Sequence, residues 1–339
     1  MVGVVLVGRH RTGRPSSRVL GSPAPQWCAD PGVRFHHSLG RDSLKHHLKL
    51  RPRRTAPRLV IGVAGAIAGL LFAALPALAV GGNINNSYPA GGAPDGYANS
   101  GICPTGADAC LDTIVSQMQT NYNTIGCSHN NAFADLYLFV TKNMRTAVRG
   151  GRFTDVQLFN RLTQTFGTYY LDAYTSWKAN NASTKVPEAW RIAFNSAKNK
   201  QTSTLGDVYL AINAHVNRDL AYAYYQSGIP SFADHTKVND ILSETQIPGF
   251  ADITLHLDNG LPAQVLAQPT NVDLDFLAWR DQAYSFAQQL AAAPDAAARG
   301  VIAQQIEANA NAHANAIKAA FPTNWLANLN RDAYCAVWK

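Results

Sequence analysis

The sequence predicts an all-α protein, and three observations predict it. Beyond residue 106 the apolar residues recur at helical spacing, helix start and stop signals bracket the recurrent stretches, and runs of alternating Val, Ile and Thr are nearly absent. The fold class that follows is one multi-helix, orthogonal or bundle-like domain with a buried central helix, stapled by disulfides.

The elements come in order. Leu111, Ile114, Met118 and Tyr122 mark a first helix; Phe133, Leu136, Tyr137, Val140, Met144 and Val148 mark a second; Phe166, Tyr169, Tyr170, Ala173 and Trp177 mark a third. Thr154-Asp155, Pro187-Glu188 and Pro294-Asp295 sit where first turns begin, and Gly150, Gly228 and Gly300 lie near stops or breaks. "ADITLHL" (251–257) suits a short strand or a helical turn equally, with His256 read as a turn residue. The alanine-rich stretch around Pro294 is strongly helix-forming and reads as a helical hairpin arm, with His313 solvated on it.

Ahead of this body the chain divides by composition. Residues 1–50 are rich in Arg, His, Gly and Pro without apolar periodicity, as in a disordered or over-extended leader. Residues 51–79 have the layout of a signal peptide: the basic "RPRRTAPR", an uncharged apolar run, and Ala77-Leu78-Ala79 as an A-x-A cleavage site. The expected location is extracellular after cleavage; the alternative is a membrane anchor through Leu59–Val80, because 22 apolar residues also span a bilayer. Residues 80–105 read as a flexible tether, and 106–339 as the helical domain.

The formal charge of +7 belongs to the leader. Residues 1–79 hold 12 of the 29 Lys and Arg but only Asp30 and Asp42 among the acids, which leaves 17 basic against 20 acidic residues downstream. A weakly acidic body offers no footprint for phosphate backbones, so nucleic acid is excluded as the main partner, and a membrane enters only through an uncleaved signal segment. In an oxidising compartment Cys103, Cys110, Cys127 and Cys335 form two disulfides; three pairings are open, and Cys103 with Cys110 and Cys127 with Cys335 is the expected one.

The helix from about Thr204 to Ser227 carries the candidate site. It is apolar almost all round, as in a helix surrounded by protein, yet "INAHVNRDL" sets Asn213, His215, Asn217, Arg218 and Asp219 into it. Buried polar groups must be paired, since an unpaired one costs about 1 to 3 kcal/mol. His215 and Asp219, four apart, share one face and suit either a salt bridge or a zinc-type metal. His235 and His129 are the expected further ligands. Arg218 is expected to clamp Asp172 or Asp135 on a facing helix. As an enzyme the protein would be a metal-assisted hydrolase of ester or phosphoester bonds, with zinc or another divalent metal, Asp172 or Asp234 orienting a metal-bound water, and Arg218 or Arg191 meeting a small or anionic substrate beside Asn213 and Asn217. As a non-enzyme it would be a secreted binding or structural protein whose His–Asp cluster fixes helix register. No nucleophile elbow, P-loop or dinucleotide-binding glycine motif occurs.

The succession "CLDTIVSQM", "CSHNNAFADLYL", "YYLDAYTSW", "VPEAWRIAFNSA", "NAHVNRDL", "DHTKVND" and "DAYC" resembles the secreted bacterial family catalogued as domain of unknown function 5995, over Cys103 to Cys335, with "AHVNRDL" its most specific element. That resemblance implies an architecture and a motif, not a reaction. The chain is also similar in class to the zinc-dependent phospholipase C and P1 nuclease group, exported all-helical enzymes with His-x-x-x-Asp ligand pairs. There His215 and Asp219 match the pair and His129 and His235 stand for other ligands, whereas the N-terminal Trp amine of that group has no counterpart.

Overall fold

A computed structural model describes residues 103–180 and 186–338, and within them every regular element is helical. The expected leader, signal segment and most of the tether lie outside the described residues. The helices are α1 (Ala109–Ile125), α2 (Asn131–Arg149), α3 (Val156–Ala179), α4 (Glu188–Lys198), α5 (Thr204–Ile212), a π-helical turn (Asn213–Asp219), α6 (Leu220–Ser227), α7 (Phe232–His256), α8 (Leu261–Leu266), α9 (Phe276–Ala292), α10 (Ala296–Ala320) and α11 (Trp325–Trp338). No helix among the described residues is long and apolar enough to cross a membrane.

Caps fix the boundaries where the sequence places them. Asp155 accepts the amide of Leu158 at 2.8 Å and Asp295 that of Ala298 at 2.8 Å, so each satisfies an amide that the first helical turn leaves open. Ser203 and Ser231 open α5 and α7 in the same way. The ambiguous "ADITLHL" is the end of α7, which runs through Pro248 to His256. The alanine-rich stretch is the α9–α10 hairpin, whose inner face buries Ala303, Ile306, Ala310, Ala314 and Ile317.

α5, the π-turn and α6 form one continuous rod from Thr204 to Ser227, and it is the axis of the molecule. Its apolar residues feed two cores: Leu205, Val208, Leu210 and Ala214 join one, while Leu220, Ala221, Tyr222 and Tyr224 join the other. α4 and α10 pack on the rod from one direction, α3 and α9 from others, and α2 contacts α5. α1 lies against α2 and α3, and the approach to α3 is close enough to need glycine: a Cβ on Gly167 would sit 2.6 Å from Ile114 Cδ1. α7 covers α2 on the outside.

Two disulfides fasten this packing, with the expected pairing. Cys103 joins Cys110 at the entry to α1, and Cys127 joins Cys335 across 208 residues, tying the α1–α2 turn to α11.

Candidate functional site

The polar island is the π-turn itself. The amide of Leu220 donates to the carbonyl of His215, five residues back, so the turn is one residue wider than an α-helical one. Such turns occur in proteins mostly as single wide turns, often at functional sites. Here the widening places Asn213, His215, Asn217, Arg218 and Asp219 in one fully buried belt around the rod.

Four of the five members of the belt hydrogen-bond to another helix, and His215 pairs within the belt. Asp219 accepts from the Trp190 indole N–H at 2.7 Å and from the Arg218 guanidinium, and His215 Nδ1 lies 3.4 Å from the same carboxylate. Arg218 Nε donates to Glu307 of α10 at 2.7 Å, and its guanidinium lies over the Tyr222 ring. Where a clamp on Asp172 or Asp135 was the expectation, the carboxylates that Arg218 holds here are Asp219 and Glu307. Asn217 donates to Asn213, which donates to the Ala310 carbonyl at 2.8 Å, and Asn309 donates to Asn217 at 2.7 Å. The two asparagines thus bind α10 backbone and side chain to the rod, where a ligand contact was expected.

Burial pushes the His215 pKa down, against the opposing pull of Asp219. The imidazole is therefore neutral, and the position of Asp219 assigns its proton to Nδ1, which leaves Nε2 with a lone pair. That nitrogen is buried and has no hydrogen-bond partner. Around it stands an aromatic box: Phe166 stacks on the imidazole with ring centres 3.5 Å apart, and Tyr137 meets it edge-on at 4.3 Å.

The remaining expected ligands lie in separate arrangements. His235 shares Nδ1 with the Tyr224 hydroxyl at 2.9 Å and Nε2 with Asp281 at 2.9 Å. His129 pairs through Nε2 with Asp332 at 2.9 Å, beside the Asp207–Arg331 ion pair. Each of the three histidines thus has its own carboxylate, and no common point gathers His215, Asp219, His235 and His129. Asp234 accepts from Thr154 and Lys237, fastening the α2–α3 loop to α7. Asp172 stands half-buried on α3 with its pKa pushed up to about 6 by burial, and Arg191 pairs with Glu188 on α4. Among the described residues one group of three metal-ligating side chains does converge, Asp135, Asp252 and His256. Sequence reading passed over it, although Asp252 and His256 have the same four-residue spacing as His215 and Asp219.

His129 gives the island's surroundings a measurable pH dependence. Burial, and then Arg331, lower its pKa from 6.5 to about 4, with Asp332 opposing. The unfolded chain takes up this proton near 6.5 and the folded chain only near 4, so the folded state loses ground as pH falls between the two. Replacing His129 by Gln should therefore shrink the stability lost between about pH 7 and about pH 4.5 by about 1 to 3 kcal/mol. Parallel urea-midpoint curves for the two proteins would contradict it.

Beside the belt lies a cavity of about 140 Å³ between α2, α3, the rod, α7 and α9. Phe133 and Tyr137 of α2, Phe159 and Phe166 of α3, Leu242 and Phe250 of α7 and Phe276 of α9 line it, together with the His215 ring and Val216. Three of its polar wall residues are engaged elsewhere: Thr141 and Thr245 donate to carbonyls of their own helices, and Arg280 donates to Asn239 at 2.8 Å and to the His235 carbonyl. What faces the space is hydrocarbon and aromatic ring, with the outer wall at Val140, Met144, Leu242 and Gln246 half-buried. The arrangement suits a largely apolar guest, with the Arg280 guanidinium on the wall already engaged by Asn239 and the His235 carbonyl.

Comparison with curated proteins and with solved structures gives no match. A family model does match, from the first helix to the end of α10 and so across the whole belt and cavity. The match of residues 111–320, more than half of the chain, to the model of the Family of unknown function (DUF5995) makes this protein a member of that family.

Proposed function

We propose that the protein binds a small, neutral, largely apolar molecule in the cavity beside His215. The observation that carries the reading is the cavity itself: an aromatic and aliphatic space of about 140 Å³ whose wall includes a neutral imidazole with an unpartnered Nε2. A cavity of about 150 Å³ lined by apolar side chains takes up benzene, so the guest is of the order of one ring with short substituents. A single donor on it, a hydroxyl or an N–H, would satisfy Nε2 after a small shift of the half-buried Phe166, whereas a carboxylate set against that nitrogen would meet its lone pair. Beneath the cavity the Arg218, Asp219 and Glu307 network serves to hold the rod against α4 and α10. The signal-peptide layout of residues 51–79 and the two disulfides support an extracellular location.

The metal-assisted hydrolase reading of His215, Asp219, His235 and His129 has weaker support, because each of the three imidazoles is already paired with a separate carboxylate.

Thermal melts with toluene, indole and benzoate test the binding reading. At ten times its Kd a ligand of the native state stabilises it by about 1.4 kcal/mol, which raises Tm by about 3 to 6 °C for a chain of this size. The neutral compounds should give this shift and benzoate none. Leu242→Trp, which fills the cavity from its half-buried wall, should abolish the shift while the protein still folds. Flat melts with every neutral compound, or a shift that Leu242→Trp leaves intact, would overturn the reading.

A further inference from the structure

We propose that Asp135, Asp252 and His256 form a divalent-cation site, suited to zinc or manganese, that staples α2 to α7. The inference is independent of the cavity ligand. Asp252 and His256 lie one turn apart at the end of α7, with His256 Nδ1 3.3 Å from Asp252 Oδ1. Asp135 faces them from α2, the helix that α7 covers, and is only 3 % exposed. One ligand atom from each of the three side chains lies within 4.8 Å of the other two.

The chemistry of the donor set selects the class of ion. Two carboxylates brought together at the margin of a low-dielectric interior repel each other, and a cation between them turns that repulsion into attraction. One imidazole nitrogen and two carboxylate oxygens suit zinc or manganese, while calcium asks for six to eight oxygens, which these side chains do not supply. Asp252 and His256 are about one-third exposed, 37 % and 34 % at the side chain, so water can complete the coordination from the open side. The site also has a structural consequence. Leu136 follows Asp135, Phe250 precedes Asp252 by two residues, and both line the cavity, so an ion here would fix the separation of two of the cavity walls.

Titration calorimetry of the chelator-stripped protein with zinc chloride, and separately with manganese chloride, tests the site. The expected result is one equivalent bound and a raised Tm. Asp252→Asn and His256→Gln, both at partly exposed positions that leave the packing of α7 intact, should each weaken binding by at least about tenfold. His313→Gln, a change on α10 outside the site, should bind as the parent does. No heat and no melting shift with either metal would overturn the proposal, and so would binding that Asp252→Asn and His256→Gln leave unchanged. Because toluene or indole binding is read without metal, its failure leaves this result standing, and the reverse holds too.

Discussion

Asp219→Ala should destabilise the protein by about 3 to 5 kcal/mol, the range for breaking a buried ion pair from one side. The carboxylate is fully buried and serves three donors at once: Trp190 Nε1, the Arg218 guanidinium and His215 Nδ1. Truncation leaves the indole and imidazole N–H groups without an acceptor and takes from Arg218 one of the two carboxylates it holds, Glu307 being the other. Taken singly each lost acceptor would cost about 1 to 3 kcal/mol, but the donors share one group, so the losses do not add. Asp219→Asn separates the contributions, since it keeps an oxygen for Trp190 and removes the charge. Urea unfolding of the three proteins reads both. A loss below about 1 kcal/mol for Asp219→Ala would mean that water or a rearranged Glu307 replaces the carboxylate, and the belt would no longer account for the rod's fixed position. Because His215 depends on Asp219 for its tautomer, the same variant should also lose whatever preference the cavity has for donor-bearing guests.

How far the belt could be read in advance differs residue by residue. The rod from Thr204 to Ser227, its burial on all sides and the His215–Asp219 pair follow from apolar periodicity and a spacing of four, which are local properties. The caps at Asp155 and Asp295 are likewise legible, since residue type and position suffice, whereas the cysteine pairing is the favoured one of three that the sequence leaves open. The π-turn is not legible, because nothing in "NAHVNRDL" distinguishes a hydrogen bond to the fifth preceding residue from one to the fourth; the partners of its side chains, Trp190 of α4 for Asp219 and Glu307 of α10 for Arg218, come from distant segments. One added residue rotates every side chain beyond it, and Arg218 meets Glu307, 89 positions away. Histidine partners show the same limit. His235 and His129 each look like a free ligand in the sequence, and each is taken by an aspartate 46 or 203 positions distant. His256 was hidden for a different reason: a short apolar stretch that suits a strand or a turn gives no helical face on which to align it with Asp252. The cavity belongs to the same class, being a gap among five helices whose packing no single segment specifies.

Opening the Cys127–Cys335 disulfide should cost more than opening Cys103–Cys110, although both join helix ends. In the chain-entropy account the loss depends on the closed loop, and separations of 208 and 7 residues correspond to about 5 and about 2 kcal/mol. The structure gives the longer bridge a local consequence too. α11 buries only Arg331 and Cys335 and leaves Trp325, Leu329 and Trp338 largely exposed, so it adheres to the domain through few contacts. Those contacts include the bridge, the Arg331–Asp207 ion pair at 2.6 Å, the pairing of Asp332 with His129 at 2.9 Å and with Lys200, and the Tyr334 hydroxyl donating to the Leu255 carbonyl of α7 at 3.0 Å. Without the bridge, α11 should exchange its amide protons early while the rod remains protected, and the free-energy loss should approach the entropic value only if α11 detaches in the unfolding transition itself. Cys127→Ser/Cys335→Ser and Cys103→Ser/Cys110→Ser, compared by urea unfolding and hydrogen exchange, separate these. If α11 instead peels away at equilibrium in the first variant, the global loss falls below about 5 kcal/mol but the exchange of α11 becomes nearly unprotected, because ion pairs of one helix cannot replace a covalent tie. Equal losses in the two variants, with α11 still protected, would show that the ion pairs alone hold the C-terminal helix.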